Sequence, residues 1–195
     1  MQITLDHIRQ FLKTLQRKTI DSTDLISSAV LIVLFESTQE LHVIFTQRTE
    51  EVEHHKGQVS FPGGAMSEPD TSILETALRE TEEEIGLQKS SVEVLGFLSD
   101  FQTPSGFRIT PVVAYLPKPP SFSINPTEVQ EVFDAPLSFF LDSGHERVEH
   151  RERSGKILNI YYYNYGKYEI WGATAAILRS FLYDVMAYPS IKNAL

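Results

Sequence analysis

Leu5, Ile8, Phe11, Leu12 and Leu15 recur at helical spacing and Thr4 stands where an N-cap belongs, so residues 5–15 are predicted to form an amphipathic lead-in helix. Two runs rich in apolar and β-branched residues, 29–35 and 41–46, flank the polar segment 36–40 and read as a hairpin. The periodicity then changes. Over residues 71–85, Leu74, Ala77, Leu78, Thr81 and Ile85 fall on one stripe; Ser72 and Glu75 have capping-box spacing, and Gly86 suits the C-terminal stop. Further strands are expected at 92–99, 109–116, 148–153 and 157–165, a loop at 117–120, and a closing helix at 173–186.

Strands on both sides of a mid-chain helix predict a mixed α/β sandwich. No repeat, low-complexity tract or linker divides the sequence, so it is read as one domain over 1–195, with residues 1–25 as a helical lead-in. A chain of 195 residues buries roughly 70% of the surface its unfolded form exposes, enough for a core without crosslinks.

Charge and cysteine content narrow the partners. With 17 basic and 26 acidic residues the net charge is −9, which opposes attraction to nucleic acid or to anionic membranes. The most apolar run, 26–35, is about half the roughly twenty residues a membrane span needs. The opening MQITLDHIRQ lacks the basic-then-apolar layout of a signal peptide, so a soluble cytoplasmic protein is expected. Zero cysteines remove thiol nucleophiles and Cys-ligated zinc, leaving oxygen or imidazole to hold any metal. His54 and His55 are adjacent, point apart, and read as solvated loop residues.

Chemistry concentrates on the polar face of the 71–85 helix, where Glu75, Glu80, Glu82, Glu83 and Glu84 face a single Arg79. Taken alone, a Glu-rich run is most often a solvated face. Yet Glu80 is i,i+4 with Glu84 and i,i+3 with Glu83, so the three carboxylates can converge as Mg²⁺ or Mn²⁺ requires. Arg79 can reach Glu83 at i+4 and hold it. The Gly63-Gly64 turn before the helix permits close backbone approach, and a carbonyl there can add another oxygen.

The stretch from Gly64 to Leu87, GAMSEPDTSILETALRETEEEIGL, resembles the Nudix box, with Gly64, Asp70, Arg79-Glu80, Glu83-Glu84 and Gly86-Leu87 at the family's positions. Asp70 stands where Glu is usual, one extra residue separates it from Arg79, and Thr81 replaces an aliphatic. The resemblance implies a Nudix-like α/β/α sandwich with a mixed sheet and hydrolysis of a nucleoside diphosphate linked to another moiety. It implies that Glu80, Glu83 and Glu84 bind Mg²⁺ or Mn²⁺, that Arg79 orients a glutamate, and that the Gly63 or Gly64 carbonyl completes the shell.

A narrower resemblance runs from Phe45 to Gly64. Thr46, Arg48, Gly57, Gln58, Phe61 and Pro62-Gly63-Gly64 match the upstream signature of coenzyme A pyrophosphatases within that family, as do Ile170-Trp171-Gly172-Ala173-Thr174-Ala175 and Asn125-Pro126 with Glu128-Val129. The subfamily's second Arg is replaced by Glu53, which removes a cation suited to the 3′-phosphate of coenzyme A.

Diphosphate hydrolysis asks for neutralised phosphoryl oxygens and an aligned water, both of which a carboxylate-held divalent ion supplies. Arg48 is the candidate phosphate fork and Gly63 and Gly64 line the substrate, while the resemblance leaves the general base open between a glutamate of the box and an acid of a later loop, for which Glu128 or Glu131 is the candidate. Ser60, Ser105 and Ser138 lie in no G-x-S-x-G elbow, which disfavours a serine hydrolase. Tyr161, Tyr162, Tyr163, Tyr165 and Tyr168 form a strand-borne cluster suited to packing, to an adenine or to an interface; a homodimer is therefore among the allowed partners, beside a small nucleotide substrate. Three functions remain: a coenzyme A pyrophosphatase, a hydrolase of another nucleotide diphosphate, and a non-catalytic nucleotide-binding module.

Overall fold

The computed structural model describes residues 3–51, 56–118, 121–153 and 155–189, without the side chains of Arg153 and Lys156; Glu53, His54 and His55 lie outside the described residues. The lead-in helix α1 spans Leu5–Thr14, and Thr4 caps it by accepting from the His7 amide at 3.2 Å. Strands β1 (Ile26–Ser37) and β2 (Glu40–Arg48) form the expected hairpin. Its two-residue turn places Thr38 and Gln39 at φ 50° and 70°, the left-handed pair that matches hairpin twist.

The hairpin strands pair only beside that turn, from Leu34↔Val43 to Ser37↔Glu40, and then part. Two short strands that the sequence pattern does not predict fill the wedge: β3 (Val59–Ser60) pairs with β2, and β4 (Gly63–Ala65) pairs with β1. The Leu31 amide donates to the Pro62 carbonyl at 2.8 Å between them. Gly63 is required here: its φ is +148° and a Cβ would strike the Ala29 carbonyl.

Beyond the wedge run α2 (Ile73–Ile85), β5 (Glu93–Phe97), β6 (Phe101–Gln102), β7 (Phe107–Tyr115), β8 (Val129–Pro136) and a short α3 (Leu137–Leu141). The large sheet is mixed, since β7 runs parallel to β1 while its other pairings are antiparallel. Then β9 (Glu146–Arg153), β10 (Lys156–Tyr165) and β11 (Tyr168–Trp171) form a separate three-stranded antiparallel sheet before α4 (Gly172–Ala187). Strand β8, the split of the strands into two sheets, and β11 as a strand of its own are additions to the sequence reading.

Alternation along β1 builds two cores. Ala29, Leu31, Val33 and Phe35 meet Ala77 and Ile85 of α2, whereas Ile32 and Leu34 face the side holding Ile8 and Phe11 of α1 and Leu178 and Phe181 of α4. Helices on both faces of a mixed sheet give the α/β/α sandwich. Tyr163 and Ile170 are fully buried in the second core, so the small sheet is packed through its inner face. Among the described residues, no helix is long and apolar enough to cross a membrane.

Candidate active site

Helix α2 presents the acidic residues, and its ends fix where they point. Ser72 accepts from the Glu75 amide at 3.2 Å, but the Glu75 carboxylate returns to the amide and hydroxyl of Thr71 instead of Ser72, so the capping box is only half made. Gly86 ends the helix at φ 70°. The Glu84 and Ile85 carbonyls that remain accept from the amides of Asn125 and Ser123 at 2.9 and 3.0 Å, which docks the 121–128 loop against the helix end and carries Glu128 to the site.

Arg79 is the hub of the helix face. Its Nε and Nη2 donate to Oδ1 and Oδ2 of Asp70 at 2.8 and 2.9 Å, and it also pairs with Glu80 and Glu83, each at 2.8 Å. Asp70 is itself locked, accepting from the Ser67 amide and hydroxyl and from the hydroxyl of fully buried Thr76. These donors, Arg79 first, hold the Asp70 carboxyl well below the usual carboxylate range. In the sequence Asp70 shows only as the acidic position of the box with Asp in place of the usual Glu; its role as the anchor of Arg79 comes from the fold, which sets Ser67 and Thr76 around it.

The three glutamates do not all converge. Glu83 is turned onto Arg79 and its side chain is 54% exposed. Glu84, expected on the solvated face, is instead buried at 2% side-chain exposure. Its Oε2 accepts from the Gly63 amide at 3.1 Å, and its Oε1 lies 3.5 Å from Nη1 of Arg48. Glu80 lies against Gly64, where a Cβ would strike its carboxylate, so the glycine makes room for the acid. Among the described residues no three acids or imidazoles stand at metal-holding spacing as placed, because Arg79 draws Glu80 and Glu83.

Electrostatics identify the pair that a cation would serve. Burial pushes the Glu84 carboxyl up to about 8, against the opposing Gly63 amide and Arg48, with Glu80 and Glu128 adding repulsion. Glu80 is raised as well, by burial first, with Arg79 opposing and Glu83 and Glu128 contributing. Buried Glu84 and partly buried Glu80, with Glu128 nearby, carry more negative charge than Arg48 and Arg79 offset, and their donors are all oxygen. That set fits a hard divalent ion.

The other candidates separate. Arg48 reaches Glu84 from β2, where a register shift falls between Gln47 and Arg48. Glu128 is held by Asn125 Nδ2 at 3.1 Å, while Glu131 is tied to Lys167 at 2.7 Å and kept low by that contact and by Tyr168. Trp171 stacks on Tyr162 at the start of α4.

A family model described as NUDIX domain matches residues 26–152. The chain is 44% identical over 158 residues to Nudix hydrolase 15, mitochondrial, of Arabidopsis thaliana, a match covering 77% of this chain and 55% of that protein, just over half of its length. It is 36% identical over 162 residues to the Nudix hydrolase NudL of Escherichia coli, covering 83% and 84% of the two chains. Among solved structures it is similar to C. elegans Ap4A hydrolase, with a TM-score of 0.52 and 13% identity over 84% of this chain and 97% of that one. A Nudix hydrolase from Alicyclobacillus acidocaldarius gives a TM-score of 0.52 at 17% identity, covering 84% and 93%. With a family model across most of its sheet and relatives matched along most of its length, the chain belongs to the Nudix family.

Proposed function

We propose that this protein is a divalent-metal-dependent pyrophosphohydrolase that cleaves the diphosphate of coenzyme A or its derivatives to 3′,5′-ADP and 4′-phosphopantetheine. One observation carries the reading. Arg48, from the upstream signature, meets Glu84 of the box at 3.5 Å, so the two motifs share one site.

Glu80 and Glu84, with the Gly64 carbonyl and with Glu83 once turned from Arg79, would hold Mg²⁺ or Mn²⁺. A bound divalent ion neutralises charge on the diphosphate and lowers the pKa of water. Arg79 positions Glu80 and is itself held by Asp70. Gly63 donates its amide to Glu84 and fixes that carboxylate's direction. Arg48 supplies a planar cation for a phosphate oxygen. Glu128, repelled by Glu80 and Glu84 and paired with no cation among the described residues, takes the proton of the attacking water, and Glu131 is occupied by Lys167.

A second reading, hydrolysis of a nucleotide sugar, dinucleotide or nucleoside triphosphate, is favoured by Glu53 in place of the signature's second Arg. Mass-spectrometric product analysis with Mg²⁺ or Mn²⁺ separates them. Release of 4′-phosphopantetheine from coenzyme A ahead of other diphosphates, absent in Glu84→Gln, supports the first; preference for another diphosphate transfers the assignment to the second. Turnover of none of them leaves the nucleotide-binding module. In the first case Glu53→Arg raises kcat/KM for coenzyme A relative to its dephospho form.

A further inference from the structure

Glu84 has two oxygens and two unequal partners. The Gly63 amide holds Oε2 at 3.1 Å, within hydrogen-bond range, whereas Arg48 stands off Oε1 at 3.5 Å, well beyond the 2.7–2.9 Å or so of a formed charge-assisted bond. Among the described residues nothing holds the Arg48 side chain better. Its Nε is buried and finds no hydrogen-bond partner among the described residues, although an unmet buried donor is costly. Its backbone, by contrast, is fixed, since the Arg48 amide donates to the Gln58 carbonyl at 3.0 Å and the neighbouring Thr49 amide to the Glu128 carbonyl at 3.0 Å.

An under-satisfied guanidinium placed this way has a use. Among the described residues the guanidinium is the cation paired with a 2% exposed carboxylate that Glu80 and Glu128 both repel, and it covers the oxygen that Gly63 leaves open. We propose that Arg48 is the resident counter-ion of Glu84 in the metal-free protein and is exchanged there for the divalent cation. The exchange rests on the pyrophosphohydrolase reading for its purpose: the released guanidinium, with Nε already unmet, is free to take a phosphate oxygen only when the metal is in place. Loading of the metal and capture of the anionic substrate are then coupled through one side chain, and coupling of this kind is reciprocal.

The test is Mn²⁺ binding to the whole protein without substrate, read from loss of the free-ion paramagnetic resonance signal at one fixed pH. Arg48→Gln is expected to bind Mn²⁺ about fivefold tighter or more than wild type, the low end of ordinary coupling, and Arg48→Lys within about twofold because the charge stays. Arg48→Met, which keeps the stem without the charge, gives the same sign should the Gln variant fold poorly. Equal or weaker Mn²⁺ binding in both neutral variants overturns the proposal. The binding experiment needs no turnover, so a failed product analysis strikes the hydrolase reading alone, whereas unchanged Mn²⁺ affinity strikes the exchange alone.

Discussion

Asp70 and Arg79 are joined by two near-parallel hydrogen bonds, Nε to Oδ1 at 2.8 Å and Nη2 to Oδ2 at 2.9 Å, that close the loop leading into α2 onto the helix itself. The Asp70 side chain is 1% exposed and accepts three further bonds from Ser67 and Thr76. An amide there cannot accept on both sides, so Asp70→Asn strands at least one buried donor. The expected loss is about 2–4 kcal/mol, read by urea denaturation at neutral pH. A loss below about 0.5 kcal/mol, the range of ordinary surface changes, would remove Asp70 as anchor.

The same clasp sets a pH dependence. Its donors hold Asp70 below the roughly 3.9 of an unfolded aspartate, so the folded state binds its proton less readily than the unfolded state. The stabilisation is complete above the unfolded value and is lost as pH falls through it toward the lower folded one. The gap in urea midpoint between wild type and Asp70→Asn should therefore be flat above about pH 5.5 and shrink steadily below about pH 4.5. A gap constant down to about pH 3 would mean that the charge of Asp70 contributes nothing.

Glu84 is placed for chemistry at the expense of stability. It is buried with one amide and one distant guanidinium, and burial pushes its carboxyl up to about 8. A group whose folded pKa is raised binds its proton more tightly when folded, so Glu84 weakens the metal-free fold increasingly as pH rises from the unfolded carboxylate range through neutrality. Glu84→Gln should raise the melting temperature of the metal-free protein at pH 8 by roughly 2–4 °C, the equivalent of about 1 kcal/mol in a chain of this size. Turnover should fall by more than the roughly 100-fold upper range for losing an outer-shell partner of a metal. A lower melting temperature would show that Glu84 is a structural acid.

These results mark what the sequence could and could not carry. The periodicity of α1, α2 and α4, the caps at Thr4, Ser72 and Gly86, and the hairpin turn are local, and local signals predict them. The wedge strands β3 and β4 are two and three residues long and exist because β1 and β2 part, which no pattern within 59–65 reveals. Strand β8 carries charged and apolar residues without clean alternation, and pairing with β2 selects its conformation. At the site, spacing correctly joins Arg79 to Glu83, yet helical spacing alone makes Glu83 and Glu84 equivalent. Only the tertiary fold buries the second beneath Gly63 and leaves the first in solvent.

The two glycines of the turn fail differently. Gly63→Ala forces a Cβ into the Ala29 carbonyl at a left-handed φ, where backbone cannot give way, so it should cost at least about 1–3 kcal/mol of stability. Gly64→Ala meets the Glu80 carboxylate, which can swing aside, so the fold should survive while Glu80 is displaced. Thermal melts beside kinetics separate the two, with Gly64→Ala expected to melt within a few degrees of wild type and to lose activity about tenfold or more. The reverse pattern would place the strain at Gly64.

Assigning the general base turns on what each acid is already doing. Glu131 accepts from Lys167 at 2.7 Å and is held low by it and by Tyr168, on the side of β8 that faces the small sheet. An exposed pair of this kind contributes little to stability, so Glu131→Gln should leave the fold intact and kcat within about twofold of wild type. Glu128 is different: it repels both Glu80 and Glu84, and its one described side-chain partner is the neutral amide of Asn125. Glu128→Gln should reduce kcat about 10²- to 10⁴-fold, the usual contribution of a positioned base. Asn125→Ala, which frees Glu128 without neutralising it, should give a smaller loss. A Glu128→Gln enzyme with near-normal kcat would mean that the proton leaves by another acid, and Glu80 would be the next to replace.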